Sequence, residues 1–170
     1  KRPRPSTSAT SKPYLTPAPK ASAYDLRDTY PALGLTLRQA IKTVWCNIHT
    51  GERTEITHIG FDRFGALREQ HGDEVAKELL KRLASMLVQK VRKEDSLGHY
   101  SGSDLAVVSP GTPFPACESF ANRLREAFAV ANIAVHGKRL NLSVSIGVAN
   151  TPVDRPGSAA SLLSLAGERL

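Results

Sequence analysis

Between Asp73 and Val91 apolar residues recur at Ala76, Leu79, Leu80, Leu83, Met86, Leu87 and Val91, a three-and-four spacing that lays one apolar stripe along a long helix. A stripe of that length must be buried against another layer, so it constrains the fold more than any other stretch. Asp73 suits the N-cap of this helix, and Arg92 and Lys93 suit its last turn, where cations meet the negative end of the helix dipole. Strands are expected at about Ser96 to Tyr100 and from Leu105 to Ser109, separated by a turn rich in Gly and Ser.

The remaining segments alternate in type. Leu37, Ile41, Val44 and Trp45 give a short amphipathic helix over Leu35 to Trp45, and Glu55 to Phe61 reads as a strand. A short helix over Arg63 to Gln70 closes at His71-Gly72, and Pro110 to Pro115 is a loop. The helix over Ala116 to Val130 turns Phe120, Leu124, Ala127 and Phe128 inward, with Arg123 and Arg125 flanking them. Ile133 to Val135 and Leu140 to Ala149 form a hairpin through His136, Gly137 and Lys138, and Leu142, Val144, Ile146 and Val148 share one face. A last helix begins at Ser158. Strands separated by helices predict an α/β fold, with helices covering a central sheet of about five strands. Met86 and Trp45 are assigned to the core.

Residues 1–22 are Pro, Ser, Thr, Ala and Lys/Arg with almost nothing to bury, so a disordered basic linker is expected there and one domain over residues 23–170. The alternative for this arm is a polybasic contact with an anionic membrane or an acidic partner. The formal charge is +7, but Lys1, Arg2, Arg4, Lys12 and Lys20 precede the first acid, leaving roughly +2 for the domain. A nucleic-acid module would carry its basic patch on the folded part, so no nucleic-acid partner is expected. Cys46 and Cys117 have neither zinc spacing nor the density of a secreted scaffold. Together with the lack of a span-length apolar run or signal peptide, this points to the cytoplasm, with a tether outside the piece left open.

Arg92-x-x-Asp95, then Ser101-Gly102-Ser103-Asp104-Leu105 and an apolar strand, resembles the GGDEF domain of diguanylate cyclases, which make cyclic di-GMP from two GTP. Gly60-Phe61-Asp62-Arg63-Phe64 resembles the family's Asp-x-Asp-x-Phe strand end, and the stretch from Leu142 to Ala149 its late strand. Pro31 to Arg38 is a faded version of Pro-Leu-Thr-Gly-Leu-x-Asn-Arg. The resemblance covers about Tyr30 to Leu170 and implies a mostly antiparallel, nucleotide-cyclase-like sheet, with a last helix that stops short of the family's.

The resemblance also implies two sites. At the catalytic one, the metal-ligand positions fall on Gly60 and Ser103, and the guanine-recognition Asn and Asp fall on Arg68 and Lys77, so catalytic residues, metal and cofactor are all expected to be absent. Asp62 and Asp104 remain nearby, but Asp104 should face away from Ser103 along an extended segment, and Asp62 lies two residues beyond Gly60. The second site, an inhibitory product site, matches at Arg92, Asp95 and Arg123. Arginine offers a bidentate fork to guanine or phosphate and a stacking plane, and a carboxylate accepts from guanine N–H groups. Read without the family, the same residues are a surface pair worth about 0–1 kcal/mol and a solvated helix arginine. The expectation is a catalytically inactive cyclic di-GMP receptor that passes occupancy to flanking domains or a partner protein. A nucleotide-free structural or homodimerisation module and a weak cyclase using Asp62 and Asp104 are the alternatives. His49, His58, His71, His99 and His136 show no metal-ligand spacing, and Asp73 stands where the family carries a histidine after its turn glycine.

Overall fold

Strand β1 (Thr54–Phe61) is buried along its whole length, as a strand must be when it has a neighbour on each side and a layer on each face. The computed structural model, which describes residue 44 and residues 46–170, sets β1 inside a four-stranded sheet. Its order is β2 (Ser96–Ser101), β3 (Asp104–Pro110), β1, β6 (Val144–Asn150), and every pair is antiparallel. The expected linker, the faded motif, Trp45 and all of the first expected helix except Val44 lie outside the described residues; residues 46–50 are helical.

Alternation along β1 assigns its side chains to two cores. Ile59 and Phe61 join Leu105, Val107 and Val144 on one face, beneath helix α2 (Asp73–Val88) and Phe128 of helix α3 (Phe114–Ala129). Ile56 joins Ala106, Val108 and Ala149 on the other, beneath Leu162, Leu163 and Ala166 of helix α5 (Ala159–Glu168). The α2 stripe buries Ala76, Leu79, Leu80, Leu83, Ala84 and Leu87, and each buried leucine contributes about 1.5–3 kcal/mol. Ser158 caps α5 in a reciprocal box with Ser161. Two short helices, α1 (Phe64–His71) and α4 (Thr151–Asp154), flank the sheet strands, and the second has no counterpart in the sequence expectations.

Several expectations need correction. The sheet has four strands because the expected long hairpin arm breaks. Strands β4 (Ile133–Val135) and β5 (Lys138–Leu140) pair with each other as a separate ribbon, through a turn with positive φ at His136 and Gly137, and the chain re-enters the sheet only at Val144. Gly72, with φ 89, caps both α1 and α2, so Asp73 is the first residue of α2 rather than its N-cap. Helix α2 ends at Val88, and Arg92 and Lys93 lie beyond it. The Arg92 amide, which would otherwise continue the helix, donates to Asp95 Oδ2 at 2.8 Å.

Candidate ligand site

The positions assigned to metal ligands and the surviving acids lie at the far end of β1. Gly60 and His58 face the α5 side, across from Ser145 and Gly147 of β6. Asp104 does not turn away: its Oδ1 lies 3.7 Å from where a Cβ on Gly60 would be, because β3 pairs antiparallel with β1 and brings Asp104 to the same face as Ala106. Its Oδ2 lies 3.2 Å from His58 Nε2, and the His58 ring packs edge-on against Tyr100 at 4.8 Å. Asp62 accepts from Ser143 Oγ at 2.6 Å and Ser145 Oγ at 2.8 Å. The side chain of Leu170 comes within 2.9 Å of that same Cβ position on Gly60.

At this corner Gly60 offers no carboxylate, Asp62 accepts from two serine hydroxyls and Asp104 meets His58 through Oδ2; among the described residues no group of three His, Cys, Asp or Glu is placed to hold a metal ion. Magnesium needs carboxylate oxygens in near-octahedral array alongside phosphate and water. Of the two expected guanine-recognition positions, Arg68 lies 3.7 Å from Asp73 in an exposed ion pair, and Lys77 is exposed on α2.

Arg92 and Asp95 are brought together at the opposite end of the sheet, in the loop between α2 and β2. Besides the bond from the Arg92 amide to Asp95 Oδ2, the Asp95 amide donates to the Arg92 carbonyl at 3.2 Å. This reciprocal pair fixes the carboxylate, while Asp95 Oδ1 is buried without a hydrogen-bond partner among the described residues. The Arg92 side chain is exposed. Arg123 is exposed on α3, one residue before the buried Leu124, and is not bonded to Arg92 or Asp95.

One residue at this end was missed from the sequence. Glu55, the second residue of β1, is 1% exposed and sits between Ser109 of β3 and Asn150 of β6. Its Oε1 accepts from Thr57 Oγ1 at 3.2 Å, while Oε2 has no partner. Burial pushes its carboxyl up to about 7; Thr57 and the facing Asn150 side chain hold it down, nearby Asp95 pushes it up further and Arg92 pulls it back. Neither polar atom of the Asn150 side chain reaches full hydrogen-bond geometry. In the sequence Glu55 looks like a solvent-facing acid; the signal against this was its place in a strand flanked and covered on all sides.

The protein-family model "Diguanylate cyclase, GGDEF domain" matches residues 35–170. Diguanylate cyclase A of Treponema denticola is 27% identical over 124 residues, 71% of this chain and 33% of that protein. The response regulator PleD of Caulobacter vibrioides is 29% identical over 103 residues, 59% of this chain and 23% of that protein. The chain thus spans a third or less of these curated relatives. Among solved structures, a sensory box/GGDEF family protein from Caulobacter crescentus superposes with a TM-score of 0.70 at 27% identity, covering 80% of this chain and 90% of that one. The GGDEF domain of DgcB from Caulobacter crescentus, solved in complex with c-di-GMP, gives a TM-score of 0.69 at 13% identity over 78% of this chain and 81% of its own.

Proposed function

The chain belongs to the diguanylate cyclase GGDEF-domain family, and from that premise we propose that this domain binds cyclic di-GMP through Arg92, Asp95 and Arg123 and does not synthesise it. The observation that carries the reading is the Arg92–Asp95 loop, in which a backbone N–H orients the Asp95 carboxylate and the Arg92 side chain stands exposed. A carboxylate accepts from guanine N–H groups, and an arginine can fork onto the guanine O6/N7 edge or a phosphate and stack on the base. The complex of the DgcB domain with c-di-GMP supports the choice of ligand. Inactivity is supported by the far end of β1, where Gly60 brings no carboxylate and the nearby acids are bonded to His58, Ser143 and Ser145. Occupancy then passes to flanking domains or a partner protein; SiaD, a diguanylate cyclase of related fold, is solved with its activator SiaC.

The test is calorimetric titration of cyclic di-GMP into wild type, Arg92→Ala, Asp95→Ala and Arg123→Ala, with a GTP turnover assay alongside. Wild type should bind in the micromolar range, about −8 kcal/mol. Arg92→Ala should lose the most, about 2 kcal/mol, since fork and stacking plane go together. GTP with Mg²⁺ or Mn²⁺ should give no cyclic dinucleotide. No binding by wild type, or equal binding by Arg92→Ala, overturns the receptor reading. Turnover that vanishes in Asp62→Ala or Asp104→Ala overturns the inactive one.

A further inference from the structure

We propose that Glu55 is a positioning residue for the dinucleotide site: from beneath the Arg92–Asp95 loop, it couples ligand binding to uptake of a proton. The inference rests on the receptor reading above and adds to it a residue that lies outside the arginine–aspartate motif.

The geometry starts from strand register. Asn150, Glu55 and Ser109 form one row across β6, β1 and β3; β3 pairs with β2 at Ser96↔Val108, so the residue one step beyond Ser96, Asp95, prolongs that row. The row is polar and buried: Asn150 and Glu55 are each 1% exposed and Ser109 is 5% exposed. Its hydrogen bonding is also incomplete. Glu55 Oε2, Asp95 Oδ1 and both polar atoms of the Asn150 side chain are without partners. Two carboxylate oxygens, one on Glu55 and one on Asp95, thus stand buried in this row without a donor. A proton on Glu55 converts one surplus acceptor into a donor.

The charges set the direction of the coupling. The charged groups acting on Glu55 are Asp95 and Arg92 from the loop; Thr57 on its own strand and Asn150 on β6 are neutral. Ionised Glu55 would attract the Arg92 guanidinium that the ligand needs, add to the negative charge at Asp95, and oppose the two phosphates of an incoming cyclic dinucleotide. Protonated Glu55 does none of these. A carboxyl held near 7 by burial changes state within the ordinary range of cellular pH. The anionic ligand favours the protonated form, so binding should draw a proton in, and affinity should fall as pH rises.

The experiment is calorimetric titration of cyclic di-GMP at about pH 6 and about pH 8, each in two buffers of different ionisation enthalpy. It uses wild type, Glu55→Gln and Arg92→Ala. Wild type should bind about tenfold more weakly at the higher pH and take up a fraction of a proton on binding. Glu55→Gln, which mimics the protonated acid, should bind as tightly at both values, with no buffer-dependent heat. Arg92→Ala should bind weakly throughout. The buffer comparison on wild type alone keeps the test decisive should Glu55→Gln fold poorly. Wild type that binds equally at both pH values without proton uptake, or Glu55→Gln that keeps the wild-type pH profile, overturns the role of Glu55 and leaves the receptor reading standing. Absence of binding by wild type at either pH overturns both.

Discussion

The two ends of β1 treat their acids in opposite ways. At the Gly60 end Asp62 is bonded to two serine hydroxyls and Asp104 to His58, and the side chain of Leu170 stands where a side chain on residue 60 would go. At the Glu55 end, Glu55 and Asp95 each keep one buried oxygen without a partner, and Arg92 stands in solvent. A carboxylate held by side-chain donors is fixed in place; one with a buried, unpaired oxygen has room to gain from a proton. The contrast separates an end that packs from an end that is poised, and each side can be broken on its own.

The largest effect should come from the packed side. Gly147 of β6 lies so close beneath α5 that a Cβ would collide with the Ala166 carbonyl and crowd the backbone at Arg169 and Leu170. Backbone cannot swing aside as a side-chain tip can, so Gly147→Ala should destabilise the fold by about 3 kcal/mol, read as a lower urea midpoint at unchanged slope. A loss below about 1 kcal/mol would mean that α5 is not seated on the sheet as described.

The poised side should respond to pH rather than to volume. Folded Glu55 keeps its proton up to about 7, against an ordinary value of 4.5. Between those values the native state binds more protons than the unfolded chain, so stability should fall as pH rises through this window and stay low above it. The loss should be about 2–3 kcal/mol. Glu55→Gln cannot ionise and should show no such step, so it should be the more stable protein at about pH 8. Denaturant melts at several pH values decide this, and parallel curves for the two proteins would remove the case for a buried proton.

How much of this could be read in the sequence depended on whether a residue's surroundings are local. The α2 stripe and the inward face of α3 are periodic and Leu105 to Val108 is a continuous apolar run; the structure buries Ala76, Leu79, Leu80, Leu83 and Leu87, Leu124 and Phe128, and the run itself, and leaves Met86, Phe120 and Ala127 half-buried. Arg92, Asp95 and Arg123 stand out through the family resemblance, with spacing as the only local signal. The end of α2 escaped the pattern because Val91 extends the apolar periodicity while Asp95, from beyond it, takes the Arg92 amide. Asp104 was misjudged because its direction is set by pairing with β1 and not by the turn alone. Glu55 and His58 look like outward residues of a half-exposed strand, yet strands on both sides and helices on both faces bury them. Such burial comes from long-range pairing, which no window of the sequence contains.

The smallest effect should come at Gly60, and it sharpens the meaning of the closed end. A Cβ there meets the Leu170 side chain at 2.9 Å, but that side chain is 41% exposed and at a flexible tip, unlike the backbone facing Gly147. Gly60 also lacks the positive φ found at five other glycines among the described residues, including Gly72 and Gly102, so nothing in its conformation requires glycine. Gly60→Ala should therefore change stability by no more than about 0.5 kcal/mol in thermal or urea melts. If so, packing does not explain the missing carboxylate, and Gly60→Asp becomes a usable probe of chemistry. That variant should fold and still fail to turn over GTP, because Arg68 and Lys77 stand at the positions expected to recognise guanine. A site built with the wrong hydrogen-bonding groups rejects its ligand strongly. Turnover appearing in Gly60→Asp alone would show that one carboxylate was all the corner lacked, and the packed end of β1 would have to be reclassified as a dormant active site.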